Sequence, residues 1–207
     1  LGIVLDDKEL HNMMNLLDKT GDGKIKLMDF VLGYVQNKIE VIVGCSASNQ
    51  KDRVKLAKNA KTFGAKWYLV QAPDGCKEDE LLELFQEISS AGPENLMIQD
   101  LSWHDEGLAD KDILNLFNKI INFKALKIEV VNSGPKYSRI LNKTKNSLHL
   151  SGGWAVSGLI EAIKRGVHSF IPSTMEVIYN QIYQEAKRGD FDKARIIFNS
   201  ILPIISF

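Results

Sequence analysis

From Lys38 onward the sequence repeats one unit: a short apolar run, a turn, and then an amphipathic segment with apolar residues at helical spacing. Apolar runs of this length, bounded by turn residues, are typical of buried strands. The segments between them have the periodicity of helices that pack one face against a neighbour. Strands that alternate with helices predict a parallel sheet covered by helices, so the repeat indicates an α/β fold.

The repeat predicts a series of strands and helices with defined positions. The predicted strands are residues 40–45, 67–71, 96–100, 125–131, 148–150 and 168–171. The predicted helices are residues 50–63, 77–89, 110–122, 137–142, 156–165, 174–186 and 190–204. Gly64 and Gly166 follow two of these helices, at a position where glycine commonly ends a helix.

The charges of the chain balance, with 26 basic and 26 acidic side chains. A chain with no net charge has no overall field to attract nucleic acid or acidic lipid, so neither is an expected partner. No apolar run approaches the roughly 18 residues that span a bilayer, and no segment has the pattern of a signal peptide. Cys45 and Cys76 are too few for a disulfide framework and indicate a reducing compartment. We expect a soluble, cytoplasmic protein.

The stretch 125–142 contains the strand with the most chemical information. Successive side chains alternate between the two faces of a strand, so Lys127 and Glu129 share one face and Leu126 lies on the opposite, aliphatic face. Ser133-Gly134-Pro135 is a turn signal, and a helix is expected from Tyr137 onward. Both faces of a parallel sheet are covered, so the two charged side chains are expected in an interior or at the mouth of a pocket.

Lys127-x-Glu129, followed by Ser133-Gly134-Pro135-Lys136 and then Ser138, resembles the lysine-bearing strand of the dihydrodipicolinate synthase and N-acetylneuraminate lyase family. The resemblance extends from about Lys38 to the C-terminus and implies a (β/α)8, or TIM, barrel. A whole barrel takes about 250 residues, and the predicted strands fall short of eight. We therefore expect a partial or truncated barrel over residues 38–207.

The resemblance implies a Schiff-base lyase or aldolase that acts on pyruvate or a related 2-keto acid through Lys127, with no cofactor. A lysine attacks a ketone only as the neutral amine, so its ordinary pKa of about 10.4 has to be lowered by desolvation or by a positive neighbour. Glu129 is expected to position a substrate hydroxyl, to take part in proton transfer, or simply to neutralise Lys127 as an ion pair. Gln99 is the third catalytic candidate, because it lies at or near the place where the family usually has a proton-relaying tyrosine, although an amide cannot transfer protons as a phenol can.

Ser151, Gly152 and Gly153 resemble the seventh strand of the family and its glycine turn, and are the predicted substrate-binding residues. Glycines there would let a ligand carboxylate approach the backbone, although a plain turn needs glycine just as often. The Gly-x-x-Gly-Glu type of motif, which accompanies the residues that hold the keto-acid carboxylate in the family, is not found in this sequence. Family resemblance also implies a homo-oligomer.

The first 37 residues have a different pattern and form a separate predicted segment, 1–37. An amphipathic run precedes the layout of an EF-hand loop, whose calcium ligands would be Asp18, Thr20, Asp22, the Lys24 carbonyl and Asp29. Asp29 is shorter than the usual glutamate, so any binding is expected to be weak. The alternative is that residues 2–37 are the diverged second strand and helix of the barrel, with residues 2–5 as the strand.

Two functions therefore follow from the sequence. The first is a keto-acid lyase with a small-molecule substrate. The second is a non-catalytic, calcium-responsive binding or regulatory protein that retains a degenerate barrel.

Overall fold

The computed structural model describes residues 23–36, 38–76, 78–154, 157–172 and 174–205. The helices are α1 (Gly23–Val35), α2 (Gln50–Thr62), α3 (Glu78–Ala91), α4 (Asp110–Lys119), α5 (Ser133–Lys143), α6 (Leu159–Lys164), α7 (Glu176–Lys187) and α8 (Phe191–Ile205). The strands are β1 (Ile42–Gly44), β2 (Trp67–Gln71), β3 (Asn95–Leu101), β4 (Phe123–Glu129), β5 (His149–Gly152) and β6 (Ser169–Phe170). Each of the predicted strands is present, most with shifted ends.

The strands follow one another across the sheet in chain order, from β1 to β6. β1 pairs with β2, β4 with β5 and β5 with β6, and all three of these pairs are parallel. The register places Lys127 opposite Ser151, and Gly152 opposite Phe170. This arrangement confirms the predicted α/β fold and fits a partial (β/α)8 barrel.

The chain divides into two compact units, and the first contains residues 1–70 and 84–96. In this unit the strand β2 fully buries Tyr68 and Val70, which alternate with half-buried neighbours. The Asn49 side chain caps α2 by accepting a hydrogen bond from the Asp52 N–H. Gly64, with a φ of 83°, lies just after that helix as predicted.

The second unit contains residues 71–83 and 97–207 and carries the side chains discussed below. Helices α4 and α5 pack on β4. Ile113 of α4, Ile140 of α5, and Leu126 and Ile128 of β4 are all buried. Because side chains alternate along the strand, this packing leaves Lys127 on the opposite face of the sheet.

The three C-terminal helices of this unit enclose a cluster of apolar side chains of their own: Leu159, Ile160, Tyr179, Ile182, Ala186, Ala194, Phe198 and Ile201. No helix among the described residues is long and apolar enough to cross a bilayer.

The predicted turn at Ser133-Gly134-Pro135 was wrong. These residues form the first turn of α5, and β4 ends at Glu129 rather than at residue 131. Proline is tolerated in the first turn of a helix because the N–H it lacks would have no intrahelical partner there. Asn132, with a φ of 57°, reverses the chain between strand and helix. The consequence is that Lys136 lies on a helix and not in an exposed turn.

Candidate active site

Three side chains converge at the ends of the neighbouring strands β3 and β4. The Nζ atom of Lys127 lies 3.0 Å from Oε2 of Glu129. The side-chain amide of Gln99 donates a hydrogen bond to the same carboxylate oxygen at 2.5 Å. The structure therefore brings together the three residues that the sequence analysis singled out as catalytic candidates. Their catalytic roles stay predictions.

The other oxygen of Glu129, Oε1, accepts a hydrogen bond from the backbone N–H of Trp154 at 2.9 Å. Trp154 follows β5 and has a φ of 56°, in the left-handed region. The Glu129 carboxylate is thus held by donors on β3, on β4 and in the loop after β5. Its side chain is 9% exposed, so these donors replace nearly all of the water that a free carboxylate would bind.

The pKa of the Glu129 carboxyl is lowered below its ordinary value by these contacts. Burial alone would raise the pKa, but the hydrogen bonds from the Trp154 N–H, from Lys127 and from Gln99 stabilise the charged form, as does the Lys127 charge. Glu129 is consequently ionised at neutral pH, and it forms an ion pair with Lys127.

Lys127 lies inside the second unit and not on its surface. Its side chain is 13% exposed. Its partner Glu129 lines a cavity of about 30 Å³ together with Tyr137, Gly152 and Gly153. A cavity of this size holds roughly one or two water molecules, so a ligand as large as a keto acid would have to move at least one of the side chains that fill the site.

The predicted substrate-binding residues face the protein's own side chains. Ser151 is fully buried, opposite Lys127 in the register. A Cβ atom at Gly152 would crowd the Phe170 ring, and one at Gly153 would overlap the Glu129 carboxylate. Gly153 therefore does let a carboxylate approach the backbone, but the carboxylate that approaches belongs to Glu129.

Tyr137 is a cavity residue that the sequence analysis did not select. Its hydroxyl donates a hydrogen bond to the carbonyl oxygen of Ile128 at 3.1 Å. Burial raises its pKa to about 12. The hydroxyl proton of Tyr137 is therefore directed at the β4 backbone.

Trp154 also contacts a second aromatic ring. It stacks on Trp103 with ring centroids 5.3 Å apart, and Trp103 is 69% exposed. Trp103 belongs to the loop between β3 and α4, residues 102–109, which lines a pocket of about 610 Å³ with the loop that follows β2. The two rings connect this pocket to the loop that holds Glu129.

A buried ion pair fixes the loop of residues 102–109. The ammonium group of Lys136, which has no exposed surface, donates to the Asp100 carboxylate and to the carbonyl oxygens of Glu106 and Leu108 at 2.5 to 2.6 Å. The Leu108 N–H donates back to Asp100 at 2.9 Å. Lys136 precedes the apolar Ile140 by four residues, about one helical turn, so helical spacing places both on the same face. This spacing was the sequence signal that Lys136 could be buried.

The predicted calcium ligands divide between described and undescribed residues. Asp18, Thr20 and Asp22 lie outside the described residues, whereas Lys24 and Asp29 lie on α1. A calcium loop needs the carbonyl at its seventh position free to face the ion, but a helix uses its carbonyls for its own hydrogen bonds. Across the described ranges, no three His, Cys, Asp or Glu side chains are grouped to hold a metal. The EF-hand prediction therefore has no support here, and the alternative of a diverged barrel strand and helix stays a prediction.

Comparison with known proteins gives one family and one fold. Residues 19–207 match the model of the dihydrodipicolinate synthetase family. Among curated proteins, the chain is 22% identical over 183 residues to the 4-hydroxy-tetrahydrodipicolinate synthase of Syntrophobacter fumaroxidans. That match covers 86% of this chain but 62% of the relative, so the chain spans less than two thirds of the relative's length.

Solved structures show the same fold at low identity. Dihydrodipicolinate synthase from Aquifex aeolicus superposes with a TM-score of 0.81 at 19% identity, over 94% of this chain and 68% of that one. N-acetylneuraminate lyase from Fusobacterium nucleatum, solved in complex with pyruvate, gives a TM-score of 0.81 at 17% identity, over 92% of this chain and 65% of that one.

Proposed function

This chain belongs to the dihydrodipicolinate synthetase family, and we propose on that premise that it is a Schiff-base lyase or aldolase acting on pyruvate or a related 2-keto acid. The observation that carries the proposal is the position of Lys127. Its side chain is 13% exposed near the C-terminal end of a strand in a parallel sheet, and its ion-pair partner Glu129 lines a small cavity. Active sites of (β/α)8 barrels lie at this end of the strands.

The proposed reaction begins when the neutral amine of Lys127 attacks the ketone carbon. The Lys127 ammonium loses one proton to solvent before this attack. A carbon–nitrogen bond then forms, the carbonyl oxygen leaves as water, and one proton returns from solvent, so that an ammonium ion and a ketone give a protonated imine and water. In the lyase direction, the hydroxyl-bearing carbon beyond the bond leaves as an aldehyde or ketone, and its hydroxyl proton passes to solvent. The electron pair of the broken carbon–carbon bond moves into the imine and forms an enamine. A proton from solvent converts the enamine back to the imine. Hydrolysis of the imine then returns the free lysine.

Glu129 and Gln99 are assigned positioning roles in this proposal. A carboxylate that already accepts three hydrogen bonds and has a lowered pKa is a weak base, so Glu129 orients Lys127 rather than removing protons from the substrate. Gln99 in turn fixes Glu129. Ser151, which lies opposite Lys127 in the register, is assigned with Gly152 and Gly153 to bind the substrate.

Borohydride reduction in the presence of pyruvate tests the proposal. Hydride adds to the imine carbon and converts the adduct to a stable secondary amine, which mass spectrometry of proteolytic fragments locates. We expect one adduct on the fragment that contains Lys127 and none in Lys127→Ala. Lys124→Ala removes an exposed lysine from the same strand and should leave the adduct intact. An adduct that survives in Lys127→Ala, or no adduct with any keto acid, would overturn the assignment.

The calcium-responsive alternative has no supporting observation among residues 23–205 where they are described. Homo-oligomer formation and a cytoplasmic location stay predictions from the sequence.

A further inference from the structure

The Glu129 carboxylate occupies a site built for an anion. Donors reach it from the Trp154 N–H, the Gln99 amide and the Lys127 ammonium, and the bare backbone of Gly153 lets it lie close to the chain. Between them the two carboxylate oxygens accept all three hydrogen bonds. We call these three donors, with Gly153, the anion cradle.

A 2-keto acid bound to Lys127 would carry its own carboxylate at about the same distance from Nζ as the Glu129 carboxylate. Standard bond lengths put the carboxyl carbon of the imine about 2.5 Å from Nζ, and its nearer oxygen about 3 Å away. Oε2 of Glu129 lies 3.0 Å from Nζ. Two carboxylates cannot share the cradle, because like charges at this separation repel strongly in a buried site.

We infer that Glu129 is a built-in competitor of the substrate carboxylate and thereby determines the specificity of the site. A 2-keto acid reaches Lys127 only by displacing the Glu129 carboxylate from the anion cradle. A neutral ketone of the same size reaches Lys127 without that displacement. The inference rests on the proposed function where it concerns the imine, but the competition for the cradle concerns binding alone.

Pyruvate affinity, measured by calorimetry, tests the competition without any need for an adduct. Glu129→Gln removes the charge and keeps the volume, and Glu129→Ala also empties the position. We expect both variants to bind pyruvate at least tenfold more tightly than the unaltered protein. Glu83→Gln, which makes the same charge change at an exposed position on α3, should leave the affinity unchanged. Circular dichroism spectra establish that the variants are folded.

Borohydride trapping with two matched ketones tests the effect on specificity. Hydroxyacetone has a hydroxymethyl group where pyruvate has its carboxylate. The ratio of the pyruvate rate to the hydroxyacetone rate, compared between proteins, cancels the difference in reactivity of the two ketones. We expect this ratio to rise at least tenfold in Glu129→Gln and to stay constant in Glu83→Gln.

The outcomes separate the two proposals. If the Glu129 variants bind pyruvate more tightly but no protein forms an adduct, the competition between Glu129 and the substrate is supported and the lyase proposal is overturned. If adducts form on Lys127 but the Glu129 variants have the same pyruvate affinity and the same trapping ratio as the unaltered protein, the lyase proposal stands and the proposal that Glu129 competes with the substrate is overturned. Equal affinities without adducts overturn both.

Discussion

Replacement of Lys136 by methionine tests whether the buried ion pair stabilises the fold. Methionine has nearly the volume of the lysine stem but no donor, so Lys136→Met removes all three hydrogen bonds of the ammonium group at once. The Asp100 carboxylate stays buried, with the Leu108 N–H as its donor. The carbonyl oxygens of Glu106 and Leu108 lose the donor that they share.

The expected loss is large for a single substitution. Removal of one partner from a buried ion pair costs about 3 to 5 kcal/mol, because the remaining charge is left uncompensated. For a protein of this size, each kcal/mol shifts the unfolding midpoint by about 2 to 4 °C, so Lys136→Met should melt about 10 °C lower. Urea denaturation followed by tryptophan fluorescence measures the same loss in free energy.

The loss should also depend on pH, in a direction set by Asp100. Burial raises the pKa of the Asp100 carboxyl, and the Lys136 ammonium opposes that rise. Without the ammonium, the folded protein favours the protonated carboxyl more strongly than the unfolded chain does. The folded variant then binds more protons than the unfolded chain, so its stability falls as the pH rises through the raised pKa, by up to about 1.4 kcal/mol per pH unit.

Lys111→Met is the matched control, since it breaks an exposed ion pair with Glu78 by the same substitution. Exposed pairs contribute little because solvent screens them, so this control should lose little stability and show little change between pH 5 and pH 8. Equal losses in the two variants, or a Lys136→Met loss that is the same at both pH values, would refute the reasoning.

Two further predictions concern backbone strain and pH. Gly107→Ala should destabilise the protein by about 1 to 3 kcal/mol in urea denaturation, because residue 107 has a φ of 65° and a new Cβ would overlap the Asp100 carboxylate. Gly64→Ala is the control, because Gly64 has a φ of 83° with open space around it, so that this substitution adds backbone strain but no steric overlap. Equal losses of stability in the two variants would show that the overlap with Asp100 contributes nothing. Burial lowers the pKa of His149 below its ordinary value of 6.5, so its contribution to stability is complete above that value and is lost as the pH falls through the lowered pKa. Melting temperatures should therefore fall less between pH 7 and pH 5 in His149→Gln than in the unaltered protein or in the exposed control His104→Gln; parallel curves would contradict this reading.

The fold was largely predictable because hydrophobic periodicity reports directly on burial. The strand at residues 67–71 was placed with both ends correct, since turn residues bound a run of strand-forming side chains. The ends of β4 and α5 were misplaced because Ser133-Gly134-Pro135 has the composition of a turn. Proline in the first turn of a helix gives the same local signal, and the choice depends on where the chain reverses, which Asn132 decides.

Only the part of the site that lies on β4 could be predicted from the sequence. Alternation along β4 indicated that Lys127 and Glu129 share a face, and they do form an ion pair. The other donors to Glu129 come from β3 and from the loop after β5. Their position depends on strand register and on the left-handed backbone of Trp154, and neither is encoded in the local pattern.

The same limit explains why the role of Gly153 was predicted and its partner was not. A glycine beside a proposed active site indicates that something must come close to the backbone, but it does not identify the group that does. In this structure the group is Glu129, held in place by hydrogen bonds from the Gln99 amide and the Trp154 N–H. Because the Glu129 side chain provides the anion, the donors of the anion cradle have a partner without a bound ligand. How this site accommodates a substrate's charge therefore depends on whether Glu129 leaves the cradle.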